Sequence, residues 1–221
     1  MNEEYIFFDL DGTLTDSQPG IYDSLRIMLA HFGIKKTDEE LKPFLGPALW
    51  DSLPMYCAFT HEQCVEAVEV FREHYFNIGI YNNRVYDGII PLLEELKAAG
   101  KKLVIATGKP TEQAEIVVEH FNLAKYFDFV AGSSLDTSRS KKGQVIAYAL
   151  QNLNLGEENR RHILMVGDRK NDIDGAHENG LKVAAVLYGY GNREEFENAG
   201  ADFIVDDVAE LKNFLFGHKV Q

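Results

Sequence analysis

The sequence predicts an α/β fold, in which helices cover a parallel sheet, from two features of its apolar pattern. Short apolar runs bounded by turn residues alternate with amphipathic stretches whose apolar positions recur every three or four residues. One long segment interrupts this alternation and has helical periodicity alone. At 221 residues and about 150 residues per domain, the chain has room for one large domain with a smaller insertion.

Six apolar runs are the predicted strands of one doubly wound, Rossmann-like parallel sheet, because helical stretches separate them. These strands are residues 5–9, 103–107, 127–131, 163–167, 183–187 and 203–205. The predicted crossover helices are residues 91–99, 111–121, 143–153, 172–179 and 193–199. A last helix should begin at Asp207, whose carboxylate can accept hydrogen bonds from the free amides of Ala209 and Glu210.

The segment from 15 to 85 contains no convincing buried strand, and proline and glycine residues interrupt its helical pattern. We therefore expect a small helical cap domain over residues 15–85. It is inserted into an α/β core domain made of residues 1–14 and 86–221. The turn-rich stretches at 13–20 and 82–88 are the expected hinges.

Composition argues against several classes of protein. The formal net charge of −13 opposes binding to nucleic acid polymers or anionic membranes, so neither is an expected partner. Cys57 and Cys64 are too few for a disulfide framework, and their spacing lacks a second zinc-ligand pair. The sequence shows no secretion signal and no long apolar run. We expect a cytoplasmic protein that is a monomer or a weak homodimer.

Two carboxylates mark the end of the first predicted strand in the string FFDLDGTLTDS. Asp9 and Asp11 lie where open α/β sheets place their ligands, outside the carboxyl ends of the strands. Asp-Gly is also a common turn pair, so for Asp11 and Gly12 alone a structural turn and a functional site are equally favoured interpretations. The whole string is far more specific than the pair.

The string ATGKP ends the second predicted strand at Thr107 and Gly108, before a helix that opens near Pro110. Free backbone amides and the positive end of the helix dipole form an anion site there, and the threonine hydroxyl adds a donor. By itself this signal is weak, because strand-Thr-Gly-helix turns are common in α/β proteins.

In RSKKGQVIAYAL, Lys141 and Lys142 open an amphipathic helix. A lysine pair at a helix start is usually a solvated surface feature, but the helix dipole disfavours a cation there, so a lysine in that place needs an anionic partner.

The string ILMVGDRKNDIDGA ends a buried strand with Asp168 and adds Asp172 one helical turn later, where both can face one ion. Complementation of the helix dipole is the structural alternative, and it suits Asp172 or Asp174 better than Asp168.

Together the four strings resemble, in order and spacing, the motifs of the haloacid dehalogenase superfamily, phosphatase branch. The resemblance covers the whole chain, including a helical cap after the first strand, and is strongest to the phosphoglycolate phosphatase-like group. It implies that Asp9 is a nucleophile and that Asp11 is a general acid and base. It also implies that Thr107 holds the transferring phosphoryl group and that a lysine bridges this group and the nucleophile. The helical register assigns that lysine to Lys142, with Lys141 as the alternative.

In the same family the fourth string holds magnesium, which implies Asp168 and Asp172 as ligands, the second directly or through water. Mg²⁺ also suits the charges, because several carboxylates around a phosphate ester repel one another by kilocalories, and hard oxygen ligands are those it prefers. Asp9 and the backbone carbonyl of Asp11 complete the expected protein ligands.

The expected substrate is a small phosphorylated metabolite whose phosphoryl oxygens contact Thr107 and the amides of Leu10 and Gly108. Gly46 is a candidate contact for the rest of the substrate. The alternative for that stretch is a helix connector in which Leu49 and Trp50 belong to the core.

The expected activity is magnesium-dependent hydrolysis of a phosphate monoester through an aspartyl phosphate. A nucleotidase, pyrophosphatase or sugar phosphomutase of the same family remains open. The non-enzymatic alternative is a phosphorylation-dependent, receiver-like binding module, which would be shorter and would lack the cap and Asp11 as an acid.

Overall fold

The larger part of the chain is built on a six-stranded parallel sheet, seen in a computed structural model that describes residues 3–136 and 138–217. In chain order, the strands within these ranges are β1 (Tyr5–Phe8), β2 (Thr15–Asp16), β3 (Arg84–Val85), β4 (Lys102–Pro110), β5 (Phe129–Ser133), β6 (Ile163–Gly167), β7 (Lys182–Val186) and β8 (Phe203–Val205). The sheet order is β5-β4-β1-β6-β7-β8, while β2 and β3 form a separate two-stranded sheet. This architecture confirms the predicted α/β, Rossmann-like class.

Among the described residues, four helices lie between β2 and β3, and the others lie between or after the strands of the large sheet. The helices are α1 (Gln18–His31), α2 (Asp38–Leu41), α3 (Leu49–Cys57), α4 (His61–Asn77), α5 (Ile89–Ala98), α6 (Thr111–His120), α7 (Lys142–Asn152), α8 (Glu157–Arg160), α9 (Lys170–Glu178), α10 (Arg193–Ala199) and α11 (Val208–Leu215), with short 3₁₀ turns at Lys42–Phe44, Gly79–Tyr81 and Ala124–Tyr126. As predicted, Asp207 caps the last helix, accepting a 2.8 Å hydrogen bond from Glu210 N.

The chain divides into two compact units, which we name the helical unit (residues 16–84) and the core unit (the described residues on either side). In the helical unit, α1 packs on α4, and Leu25 of α1 and Val68 of α4 are among its buried side chains. Gly20 allows close contact with the turn after α4, because a Cβ atom there would lie 1.9 Å from the carbonyl oxygen of Gly79. No helix among the described residues is both long and apolar enough to span a membrane.

The sheet reverses its strand order beside β1, which pairs with β4 on one side and β6 on the other. Parallel α/β sheets bind ligands at such a reversal, outside the carboxyl ends of the strands. Phe8, the last residue of β1, pairs with Ile105 and Val166, so the residues after these three positions share one edge. That edge belongs wholly to the core unit.

Two boundaries differ from the predictions in ways that matter for this edge. β4 continues beyond Thr107 to Pro110, because a residue that precedes proline is held in the extended region. The following helix, α6, therefore starts one residue after Pro110 and has no side-chain cap. α9 begins at Lys170 rather than at Asp172, which places Asp172 inside its first turn.

The expectation that Leu49 and Trp50 belong to the core is wrong. Both are half-buried at the start of α3, and the ring of Trp50 stacks on His61 with the centroids 6.1 Å apart.

Candidate active site

Asp9 leaves β1 at the point where the sheet reverses its order. Its backbone N donates a 2.9 Å hydrogen bond to Val166 O, so the strand pairing with β6 continues to Asp9. The chain then turns tightly, with the amides of Leu14 and Thr15 each donating to Leu10 O at 2.9 Å. Asp9 is 92% buried, and backbone hydrogen bonds hold the segment on either side of its side chain.

Gly12 allows the first turn to pass close to the end of β6. It has a φ of +83°, and a Cβ atom would lie 2.2 Å from Asp168 Oδ2. A residue with a side chain would meet both a strained backbone and a collision. Glycine is therefore required for Asp9 and Asp168 to share the site.

Asp168 follows β6 and is fully buried. Its two oxygens are oriented separately, since Thr13 Oγ1 donates to Oδ1 at 3.0 Å and Tyr190 N donates to Oδ2 at 2.8 Å. Tyr190 lies in the loop after β7. Three separate segments thus meet at this carboxylate, and the sequence analysis did not anticipate the contribution from the loop after β7.

Asp172 and Lys142 form the buried side of the site. Asp172 Oδ2 accepts from the amides of Asp168 at 3.1 Å and Arg169 at 3.0 Å. Its Oδ1 lies 2.8 Å from Lys142 Nζ. Asp172 therefore ties the start of α9 to the end of β6 and also orients the lysine.

Lys142 Nζ is also 2.8 Å from Asp9 Oδ1, and it donates to Ala106 O at 2.9 Å. The apolar face of α7, including Val145 and Ala149, is buried and turns this first residue of the helix inward. Lys141 is exposed at the N-cap position. Of the two candidate lysines, the fold brings Lys142 to the site.

Thr107 and Gly108 lie near the end of β4 in different environments. Thr107 is buried, and its Oγ1 accepts a 3.2 Å hydrogen bond from Lys109 N. Gly108 is exposed, and a Cβ atom built on it would meet nothing within 4 Å. The rim of the edge is therefore open beside Gly108.

Lys109 is a site residue that the sequence analysis missed. Its side chain is 4% exposed, and its Nζ lies 2.9 Å from Asp11 Oδ2. One signal pointed to it, since Pro110 keeps residue 109 extended and residues two apart in a strand share a face, which relates Lys109 to Thr107.

Charge in the buried cluster is unbalanced. Asp9, Asp168 and Asp172 each offer a carboxylate oxygen, and these oxygens all lie within 4.8 Å of one another. Among the described residues, Lys142 is the cation that contacts this trio. Three carboxylates against one ammonium leave an excess of negative charge in a region with little water, where such charges interact strongly.

The pKa values reflect this imbalance. Burial raises the pKa of Asp9 to about 6, with the charge of Lys142 opposing the rise and that of Asp172 adding to it. Burial and the charges of Asp172 and Asp9 raise the pKa of Asp168 well above its usual range. Burial alone would lower the pKa of Lys142, but the charges of Asp172 and Asp9 raise it above its ordinary value. A hard divalent cation would relieve this repulsion, and carboxylate oxygens are suitable ligands for it.

The predicted site residues other than Gly46 all lie in the core unit. Gly46 lies in the helical unit, exposed in the turn between the first 3₁₀ segment and α3, with a φ of +103°. Its contact with a substrate stays a prediction.

Comparison with known proteins relates almost the whole chain to one family. A sequence model of the haloacid dehalogenase-like hydrolases matches residues 6–186. A Pseudomonas aeruginosa protein named 5'-nucleotidase is 38% identical over 96% of each chain. A Haemophilus influenzae protein named phosphoglycolate phosphatase is 32% identical over 97% of this chain and 100% of the other. A solved structure of Mycobacterium tuberculosis Protein Tyrosine Kinase A is 35% identical, with a TM-score of 0.83 over 97% of this chain and 98% of that one.

Proposed function

The chain belongs to the haloacid dehalogenase-like hydrolase family, as an enzyme of its phosphatase group, and on that premise we propose that it hydrolyses a small phosphate monoester through an aspartyl phosphate. The observation that carries this proposal is the placement of Asp9. It follows the central strand, and one of its oxygens lies 2.8 Å from a buried lysine. Asp11, two residues later, lies at a less buried position of the same edge.

In the first half-reaction, an oxygen of Asp9 attacks phosphorus in line with the leaving group. The phosphorus–oxygen bond of the ester breaks, and Asp11 gives a proton to the departing alcohol. Lys142 neutralises charge on the nucleophile and on the phosphoryl oxygens, and it is held for that task by Asp172 and Ala106 O.

In the second half-reaction, water attacks the phosphorus of the aspartyl phosphate. Asp11 takes a proton from this water, the bond from phosphorus to the Asp9 oxygen breaks, and inorganic phosphate leaves. Throughout, Thr107 and the amides of Leu10 and Gly108 are the proposed donors to the transferring oxygens. The open space beside Gly108 is consistent with a group of that size binding there.

We propose Mg²⁺ as the cofactor, held by Asp9, Asp168 and the backbone carbonyl of Asp11. When bound, such an ion neutralises charge and helps to orient the phosphoryl group. The oxygens of Asp172 already contact two amides and Lys142, so we assign it to orienting Lys142 and to contact with the ion through water.

The relatives support a substrate class no narrower than small phosphorylated metabolites. One relative is named for phosphoglycolate and another for nucleotides, and both are similar over nearly the whole chain. A panel of phosphoglycolate, nucleoside monophosphates, sugar phosphates and pyrophosphate, ranked by kcat/KM, tests the choice. Conversion of a sugar phosphate to its isomer without phosphate release would instead indicate a phosphomutase.

Similarity to Protein Tyrosine Kinase A supports a second candidate, transfer of the phosphoryl group to a tyrosine hydroxyl. The two candidates differ in the acceptor, water or tyrosine, at the same aspartyl phosphate. Incubation with ATP and a tyrosine peptide, followed by separate measurement of phosphopeptide and free phosphate, distinguishes them.

The mechanism is tested by rapid acid quenching after mixing the enzyme with ³²P-labelled substrate and Mg²⁺. We expect a labelled protein species that hydroxylamine cleaves, because acyl phosphates react with it. Turnover without any labelled protein, under conditions in which release is slowed, would contradict the covalent mechanism.

A further inference from the structure

The site holds a second buried lysine that the proposed reaction does not yet use. Lys109 and Lys142 are the two buried lysines among residues 3–136 and 138–217. Burial of an ammonium group costs free energy unless a carboxylate compensates, and Asp11 provides that compensation at 2.9 Å. A lysine–carboxylate pair with a purely structural role could lie on the surface without this cost. The burial of this pair, one member of which is the proposed acid Asp11, therefore points to a role in the reaction.

The backbone around Lys109 is held in place from two sides. Its N–H donates to Thr107 Oγ1, and the residue that follows is proline. On the neighbouring strand, Gly132 approaches so closely that a Cβ atom would lie 2.5 Å from Lys109 O. The lysine therefore extends towards Asp11 from a fixed base.

The two oxygens of Asp11 have different partners. Oδ2 contacts Lys109 Nζ, whereas Oδ1 is buried and has no hydrogen-bond partner among the described residues. A carboxylate held through one oxygen keeps a single orientation, and this is what a proton donor needs. A freely rotating side chain would lose part of this advantage.

We propose that Lys109 is a positioning residue, which holds Asp11 by Oδ2 so that the carboxyl group exchanges its proton with the leaving group and with water. This inference rests on the proposed function. When the ester bond breaks, its electron pair stays on the leaving oxygen and the proton of the Asp11 carboxyl group moves to that oxygen. When water attacks, one of its protons returns to the Asp11 carboxylate as the bond from phosphorus to Asp9 breaks.

The test compares leaving groups, because an alkoxide needs a proton as it departs and a dinitrophenolate does not. For Lys109→Met, we expect kcat/KM to fall by about 100-fold with an alkyl phosphate and to stay within about threefold with 2,4-dinitrophenyl phosphate, since general acid catalysis contributes about 10²-fold or more. Lys97→Met is the matched control. It removes another lysine of the core unit, one that lies 2.8 Å from Asp128, and both rates should be unchanged.

A double-mutant cycle separates positioning from direct contact with the substrate. If Lys109 acts through Asp11, the alkyl phosphate rate of Asp11→Asn should fall little further when Lys109→Met is added. Independent, multiplying losses would overturn the inference, as would a loss by Lys109→Met that is equal for both leaving groups. Lys109→Gln, which keeps a donor, serves the same comparison if the methionine variant does not fold.

Wild-type activity distinguishes failure of this inference from failure of the proposed function. If the wild-type protein hydrolyses neither ester with Mg²⁺ present, the proposed function fails and the role of Lys109 fails with it. If the wild type is active and Lys109→Met shows no dependence on the leaving group, only the inference about Lys109 is wrong.

Discussion

The core unit and the helical unit differ in whether their charged side chains are buried. All five buried charged side chains of the described residues belong to the core unit, namely Asp9, Lys109, Lys142, Asp168 and Asp172. In the helical unit, pairs such as Arg26 with Asp38 and His31 with Glu66 are exposed. Exposed pairs contribute little to stability, whereas buried unbalanced charge is costly and is characteristic of sites that perform chemistry.

Exposed apolar side chains are instead concentrated in the helical unit. Eight large hydrophobic side chains are exposed in the part of the chain that the structure describes. Six of them lie in the helical unit, although it has fewer residues than the core unit. These are Ile27, Met55, Tyr56, Val65, Ile78 and Tyr81. Apolar surface is non-directional and adapts to different groups. On this contrast we base the prediction that the core unit carries the reaction and the helical unit influences the choice of ester.

The largest expected effect tests whether the core unit holds the nucleophile. Asp9→Asn keeps the shape of the side chain but makes it a poor nucleophile, so kcat should fall by about 10³-fold or more. Asp23→Asn, the same change in the helical unit, should leave kcat unchanged. A variant that keeps more than about a tenth of kcat, a loss below roughly 1.4 kcal/mol, would contradict the covalent mechanism.

The next effect concerns the two adjacent lysines of the core unit. Lys142→Ala should lower kcat by about 100-fold or more, because it removes the buried cation beside Asp9. It should also reduce the free energy of unfolding, measured by urea, by about 3 kcal/mol, since buried carboxylates lose their partner. Lys141→Ala, at an exposed position, should change neither quantity. Equal small effects would mean that another group neutralises the phosphoryl charge.

A smaller effect is expected for metal affinity. Asp168→Asn should raise the Mg²⁺ concentration for half-maximal activity by about 10-fold to 100-fold, because a charged ligand is replaced by a neutral one. The control is Asp174→Asn, which lies in α9 but faces Lys170 instead of the cluster. An unchanged Mg²⁺ dependence for Asp168→Asn would remove this residue from the metal ligands.

The smallest effect tests the helical unit. Gly46→Ala and Trp50→Ala should alter kcat/KM by up to about tenfold and to different extents for four unrelated esters, since pocket contacts discriminate substrates by about that much. The Mg²⁺ requirement should stay the same. A uniform loss for all four esters, with the fold preserved, would show that this stretch supports the site without selecting the substrate.

The predictions were strongest where one local pattern determined the structure. Period-two and period-3.6 patterns identified the sheet strands and their crossover helices to within a few residues. They placed the start of α6 correctly but ended β4 too early, because the strand continues from Thr107 to Pro110. The conformation imposed by Pro110 and the packing against Gly132 keep this segment extended. The pattern of apolar residues does not encode the packing against Gly132.

Within the site, the sequence by itself determined which carboxylates reach the catalytic edge, because Asp9 and Asp168 directly follow strands and the carboxyl ends of parallel strands share an edge. Contacts between side chains from distant segments were decided by the tertiary structure alone. Lys109 meets Asp11, and Tyr190 orients Asp168, only because neighbouring strands are in a particular register and the loops after them turn inward. No local pattern encodes such contacts, since each depends on the packing of residues that are far apart in the chain.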